Sequence, residues 1–228
     1  MSHPKVVETF DRWADEGRDA ELEQGHGDVV RQVVERLQIK PGEKILDLGC
    51  GNGWATRMLA RMNAGVQAIG VDASPKMIAR AEALHSFTIR ARYDHASFED
   101  LHFKDGEFDR IFSMEALYYA ADLTRALGEC FRVLKPAGSA EILIDYYEES
   151  PASEHWAKTM GLHLHRLSEA GWRQAFERAS FPRVTTTRVI DSRPPAPSSA
   201  CNECEPTYQA KLALHQAGTL WIHAEKTR

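Results

Sequence analysis

Alternating strand and helix patterns, a glycine-rich turn directly after the first strand and an acidic residue at the tip of the second predict an α/β protein built on a mostly parallel sheet. Apolar runs read as strands near 44–48, 66–71, 88–93, 108–113 and 140–146, with helical spacing over 54–63, 75–85 and 122–134 between them. Such alternation needs crossover connections, and therefore a parallel sheet covered by helices on both faces. Ahead of it, residues 4–16 and 28–38 read as helices. Val29, Val30, Val33, Val34 and Leu37 line one face of the second, and Gly25, His26 and Gly27 read as a break between the two. Beyond it, 153–164 and 168–180 read as helical and 183–190 and 218–225 as closing strands. Asp191 to Pro206 is rich in Pro and Ser and reads as a surface loop.

The turn selects a ligand. A dinucleotide-binding turn spaces its glycines G-x-G-x-x-G so that backbone N–H groups approach a pyrophosphate. Gly49, Gly51 and Gly53 place the third glycine one position early, and Asp47 sets a carboxylate where a pyrophosphate is unwelcome. S-adenosylmethionine meets both conditions. Its amino group pairs with Asp47, directly or through water, and its carboxylate faces N–H groups near the next helix start. Asp72, at the end of the strand beginning at Val66, is placed to accept both ribose hydroxyls. Ser74 as N-cap and Pro75 at the first helical position then start a helix through Met77 and Ile78.

With these residues the chain resembles the class I S-adenosylmethionine-dependent methyltransferases, closest to the small-molecule group that includes the ubiquinone and menaquinone C-methyltransferases. The resemblance runs from about Ile45 to Ser150. It takes in Phe98, Glu99, Asp100, Leu101, His102 and Phe103, where the family reads Ala-Glu-Asp-Leu-Pro-Phe, the strand from Phe108 to Ser113, and a turn from Arg132 to Gly138 before strand five. It implies a Rossmann-like fold, a seven-stranded mostly parallel sheet with helices on both faces and an antiparallel last strand. It also implies a single methyltransferase domain over 1–228: an N-terminal helical lid (1–40), the cofactor-binding core (41–150), a helical insertion on the substrate side (151–182) and closing strands (183–228).

The cofactor residues implied are Trp13 from the lid; Asp47, Gly49, Cys50, Gly51, Asn52 and Gly53 at the turn; Asp72, Ala73, Ser74 and Met77; Ser97, Phe98 and Glu99; and Ser113 with Met114. Ser97 departs from the family, which has there an Asp that contacts the adenine amino group. Adenine contact then falls to the Ser97 hydroxyl, the Phe98 backbone and apolar packing.

Methyl transfer from a sulfonium is an in-line displacement on an activated electrophile, so alignment and exclusion of water make up much of the catalyst's task. A base is needed only for a protonated, weakly acidic acceptor. Residues expected at the carboxyl ends of the strands are Trp13, His26, Glu115, Tyr118, Tyr119, Tyr146 and Tyr147. Glu115, His26 and Tyr118 are the catalytic candidates: a carboxylate beside the transferring methyl, an imidazole with a near-neutral pKa, and a ring wall. Tyr118 and Tyr119 are adjacent, so only one of them is expected to point well into the pocket. His163 and His165 alternate in a helical stretch and are expected on different faces, with no metal between them. Trp172 reads as packing.

Other acceptor classes lack their residues. Ser113 is followed by Met114 and Glu115, not by the Pro-Pro-aromatic run of exocyclic-amine enzymes of nucleic acids. A Pro-Cys nucleophile, a second loop glutamate and clustered Asp and Asn ligands are likewise missing, Asp145 being the sole well-placed acid. A small-molecule acceptor remains, with S-adenosylhomocysteine as the other product. A tRNA-modifying methyltransferase is the rival enzyme, its footprint a cluster of Arg90, Arg92, Arg183 and Arg188. A non-catalytic S-adenosylmethionine-binding module is the other rival.

The chain's 228 residues suit one well-buried domain. A net charge of −5 gives no overall basic field toward nucleic acid or anionic lipid. The first residues lack an apolar h-region and no run approaches a membrane span, which predicts a cytoplasmic protein, monomeric or homodimeric. The 4 cysteines form no disulfide framework. Cys201 and Cys204 have ligand spacing but no matching second pair, so no metal is assigned.

Overall fold

A computed structural model describes residues 4–86, 89–195, 204 and 206–227. One seven-stranded sheet organises them: β1 (Lys44–Leu48), β2 (Gln67–Asp72), β3 (Ala91–His95), β4 (Phe108–Met114), β5 (Leu134–Ile144), β6 (Arg183–Val189) and β7 (Thr219–Glu225). Their order is β3-β2-β1-β4-β5-β7-β6. The first five pair in parallel, and β7 runs antiparallel to both β5 and β6, as expected for the closing strands.

Helices cover both faces. α1 is Pro4–Asp15, α2 Leu22–Arg36, α3 Trp54–Leu59, α4 Pro75–Ala83, α5 Leu123–Val133, α6 Trp156–Met160, α7 Glu169–Arg178 and α8 Tyr208–Ala217. Val30, Val33 and Val34 of α2, Leu59 of α3 and Ile78 of α4 pack with Ile45, Ala68 and Leu143 on one face. Leu127 and Cys130 of α5 and Trp172 and Phe176 of α7 pack with Leu46, Ile111, Ile142 and Ile222 on the other. Four helix starts carry the side-chain cap that their residue type favours: Ser74 accepts from Met77 N–H, Asp122 from Arg125 N–H, Ser168 from Gly171 N–H and Thr207 from Ala210 N–H.

Several boundaries differ from the sequence reading. α2 runs through Gly25, His26 and Gly27, because neither glycine adopts a positive φ; the turn falls at Gly17, with φ 72°, ahead of a 3-10 turn at Arg18–Glu21. α3 stops at Leu59, where Asn63 bonds back to the Ile39 carbonyl and turns the chain. β3 begins at Ala91, its ladder opposite Ala68, and the first residue of the expected strand, at 88, lies outside the described residues. The turn expected before β5 is a bulge inside it. Leu134 pairs with Phe108 and Ser139 with Arg110, so residues 135–138 loop out, with Ala137 at φ 64°.

The helix expected over 153–164 is cut short at Gly161, φ 64°, and the chain beyond it is extended. Extended residues two apart share a side. The His163 and His165 rings therefore lie 5.5 Å apart, against the expectation of separate faces. α8 has no counterpart in the sequence reading, and of the loop expected over 191–206, residues 196–203 and 205 lie outside the described region.

At the β5–β7 junction a fully buried Glu141 accepts from Trp221 Nε1 at 2.8 Å, Ser139 Oγ at 2.7 Å and His223 Nδ1 at 2.9 Å. The Glu141 carboxylate raises the His223 pKa above its ordinary 6.5. Stability gained from this protonation is fully present below pH 6.5 and lost as pH rises through the raised folded-state value. Urea midpoints are expected to fall over that range in the native chain and to stay flatter in His223→Gln. Equal slopes in the two would remove His223 from the pH dependence.

Candidate functional site

The strand order reverses between β1 and β4, and the crevice this opens lies at the carboxyl ends of the strands. A cavity of about 1070 Å³ occupies it. One wall is the turn after β1. Gly49, Gly51 and Gly53 all adopt positive φ, at 70°, 53° and 77°. A Cβ on Gly49 would lie 2.2 Å from Ala116 Cβ, so the turn closes only with glycine there.

Asp72 fixes this wall. Its Oδ2 accepts the Gly51 N–H at 2.9 Å and its Oδ1 the Ser74 N–H at 2.8 Å, so one carboxylate ties the glycine turn to the start of α4. Burial raises the Asp72 pKa from the usual carboxylate value, against those two backbone bonds. α1 is held over the same corner, Ser74 Oγ donating to Asp11 at 2.5 Å and Lys76 pairing with Asp15. Phe10 packs edge-on against Trp13 at 5.1 Å and Tyr119 at 5.0 Å, and the Arg18 guanidinium lies 4.4 Å over the Trp13 ring.

Of the expected cofactor residues, Trp13, Gly49, Cys50, Gly51, Asp72, Ala73, Ser74, Met77, Phe98, Glu99 and Met114 line the cavity. Five do not. Asp47 points beneath the turn, where it accepts from Thr56 Oγ1 at 2.6 Å and burial pushes its pKa up to about 7. Asn52 bonds the Asp19 carbonyl at 2.8 Å, clamping the 3-10 turn onto the glycine turn. Gly53 is required by packing, since a Cβ would strike the Tyr93 ring at 2.4 Å. The Ser97 hydroxyl is spent on Glu99 at 2.8 Å, and Ser113 is buried with its hydroxyl on the Leu48 carbonyl at 2.9 Å.

The opposite wall carries the three catalytic candidates, Glu115, His26 and Tyr118. Glu115 follows β4 directly in a left-handed conformation, φ 53°, uncommon for a residue with a side chain. Its carboxylate accepts from the Tyr118 hydroxyl at 2.7 Å and from the Asp145 N–H. Tyr118 and Tyr119 both line the cavity, because the 3-10 turn Leu117–Tyr119 tilts their rings together at 4.5 Å; the expectation that only one points in fails. Tyr146 and Tyr147 lie outside the lining. Tyr146 stacks on Trp156 at 6.0 Å, and the Tyr147 hydroxyl bonds the Gly218 carbonyl at 2.8 Å.

Asp145 was read only as an isolated metal-type acid, yet it lines the cavity and faces His26, whose Nδ1 lies 4.0 Å from its Oδ2. Its position directly after a parallel strand was the available signal. Asp191, Arg193, Lys211 and His215 also line the cavity and were missed as site residues. Lys211 and His215 belong to the unforeseen α8. Asp191 and Arg193 arrive through a latch: Asp28 of α2 accepts from Ser192 N–H at 2.7 Å and Ser192 Oγ at 2.9 Å, and its pKa is lowered to about 2, chiefly by the Ser192 N–H. Cys204 borders the cavity, and Cys201 lies outside the described residues.

The arginines named as a nucleic-acid footprint do not gather. Arg90 and Arg92 lie at the β3 edge and Arg183 and Arg188 in β6, the opposite edge. Arg92 contacts Asp94, Arg183 contacts Glu225 and Arg188 contacts Glu169. Among the described residues no helix is long and apolar enough to cross a membrane.

The sequence profile of the methyltransferase domain matches residues 46–142. A solved chain from the complex of the Haloferax volcanii Trm112 methyltransferase activator with a methyltransferase superposes with a TM-score of 0.86 at 32% identity, covering 96% of this chain and 98% of that one. An O-methyltransferase of Aspergillus sclerotiorum is 32% identical over 145 residues, 61% of this chain and 54% of that protein. Phosphoethanolamine N-methyltransferase 1 of Arabidopsis thaliana is 29% identical over 163 residues, 69% of this chain and 32% of that protein. The match spans about a third to a half of these curated relatives' length.

Asp72→Ala is expected to weaken S-adenosylmethionine binding by about 1.5–3 kcal/mol, the range for hydrogen bonds to a charged group. Calorimetry on the folded variant checks this, and unchanged affinity would take Asp72 out of the ribose role.

Proposed function

The chain belongs to the methyltransferase-domain family, whose cofactor is S-adenosylmethionine, and from that premise we propose that it moves the cofactor's methyl group to an O, N, S or C atom of a small molecule. The observation that carries this reading is one continuous cavity with two different walls. Asp72, the Gly49–Gly51 turn, Met77 and Phe98 form a cradle for a nucleoside and an amino acid. Glu115, His26, Tyr118 and Tyr119 form a second wall that cofactor binding alone does not require. Incubating the chain with cofactor bearing a deuterated methyl group and a small-molecule extract tests it: a labelled product supports transfer, and tight cofactor binding with no labelled product supports a binding module.

Within this reading Glu115 holds the acceptor side, with Tyr118 and the Asp145 N–H fixing its carboxylate. The N-terminal segment acts as a lid, since α1 lays Phe10 and Trp13 over the cofactor wall. A second reading draws on the Haloferax complex: this chain works with an activator protein of the Trm112 type. Co-elution of the two purified proteins, with a gain in labelled product, is the measurement for that arrangement.

Glu115→Gln is expected to cut turnover by about 10²-fold or more, the low end for a positioned acid or base, with little change in S-adenosylhomocysteine affinity. A variant with full turnover removes Glu115 from the acceptor side. For the lid, amide exchange over residues 4–27 is expected to slow when S-adenosylhomocysteine is added. Identical protection with and without it would count against closure.

A further inference from the structure

On the acceptor side of the cavity a histidine ring meets a buried carboxylate. His26 projects from α2, with its Nδ1 4.0 Å from Asp145 Oδ2 and the two side chains 26% and 11% exposed. Asp145 is fixed independently of His26. Its N–H is bonded to the Glu115 carboxylate and its side chain to Thr219. Among the described residues no hydrogen bond reaches the His26 ring, so Nε2 is available to a molecule in the cavity. Gly25 beside it has open space where a Cβ would stand, which leaves room around the imidazole.

We propose that His26 and Asp145 are a proton-accepting pair: with ligand bound, the 4.0 Å separation between Nδ1 and Asp145 closes to a hydrogen bond that keeps Nδ1 protonated, and His26 takes the acceptor's proton through Nε2. The acceptor then brings a protonated atom, an ammonium or a hydroxyl, and not a thioether sulfur or a carbon nucleophile. The inference rests on the methyl-transfer reading. An ammonium first passes a proton to His26 Nε2, which frees its lone pair, whereas a hydroxyl passes its proton as it attacks. The acceptor's lone pair then forms the bond to the methyl carbon, and the carbon–sulfur bond breaks with its electron pair on sulfur, giving a neutral thioether in S-adenosylhomocysteine. The imidazolium is stabilised by Asp145 until the proton leaves to solvent.

The other groups on the walls suit this role less well. Glu115 already accepts from Tyr118 and the Asp145 N–H. Burial pushes the Tyr118 and Tyr119 phenols above their ordinary range, so neither supplies a phenolate. Arg18 lies over Trp13, Arg193 is bonded to Asp191, and His215 Nε2 is bonded to the Asp191 carbonyl. Glu21 lines the cavity from the 3-10 turn Arg18–Glu21 and Lys211 from α8, outside this contact.

The test begins with the full chain saturated with S-adenosylhomocysteine and labelled at its 10 histidines. Imidazole nitrogen shifts give the tautomer of each ring, His26 being assigned from its absence in His26→Gln. Asp145→Asn is expected to abolish the Nδ1–H preference of His26, with Asp145→Glu retaining it. An unchanged tautomer in Asp145→Asn overturns the pair. The deuterated-methyl extract then reports the acceptor atom. Label on nitrogen or oxygen is expected, with His26→Gln slower by about 10²-fold or more. Label on a thioether sulfur or on carbon, or full rate in His26→Gln, overturns the proposal. Label on nothing counts against methyl transfer itself, while the tautomer measurement still decides the pair.

Discussion

The reversal of strand order between β1 and β4 is the constraint from which the rest follows. The chain builds outward from β1 through β2 and β3, returns to the other side of β1 and continues through β4 and β5. Neighbouring connections therefore leave in opposite directions, and a crevice opens that no crossover can fill. Everything that enters it must be small or must come from a strand end. Gly49 passes within contact of Ala116 for this reason, and Asp72, Glu115 and Asp145 are each the last residue of a parallel strand or next after it. The crevice concentrates carboxylates. Asp47 is buried and Asp72 half-buried, and both have raised pKa values, with desolvation the largest cause in each. A cationic ligand such as a sulfonium with an ammonium group offsets that cost, whereas a pyrophosphate adds to it.

The second wall has a different origin. Beyond Glu115 and Asp145 at the strand ends, its residues come from elements outside the parallel core: α2 before the sheet, the 3-10 turn after β4, and the segment after β6 with α8. Short side-chain bonds hold these pieces in place. Asn52 to Asp19 anchors the 3-10 turn to the glycine turn, Ser74 to Asp11 anchors α1 to α4, and His165, bonded to the Ala120 carbonyl at 2.9 Å, clamps the tyrosine turn from behind.

This division explains what could be read from the sequence. Strands that are buried on both faces announce themselves as apolar runs, and Ser74, Asp122 and Ser168 mark helix starts by cap chemistry that needs no tertiary context. The cradle around Asp72 was legible because turn, strand tip and cap follow one another within thirty residues. Orientation was not legible. The turn's spacing does not say that Asp47 turns under to Thr56, nine residues on, and nothing local says that the buried Asn52 bonds Asp19, which lies 33 residues earlier in the chain. Gly25 and Gly27 misled for the opposite reason: helix packing overrides their weak propensity, at about 1 kcal/mol each. His163 and His165 were misplaced because a single C-cap at Gly161 changes the period from helical to extended.

The Asp28 latch bears on how such a protein changes its diet over evolutionary time. By gripping Ser192, α2 and the segment beyond β6 meet across the mouth, so two stretches of chain 164 residues apart share one gate. Neither belongs to the parallel core that carries Asp72 and the glycine turn. Substitutions in those stretches can recast the opening while that wall stays as it is, so the rim is free to diverge over a floor that is held.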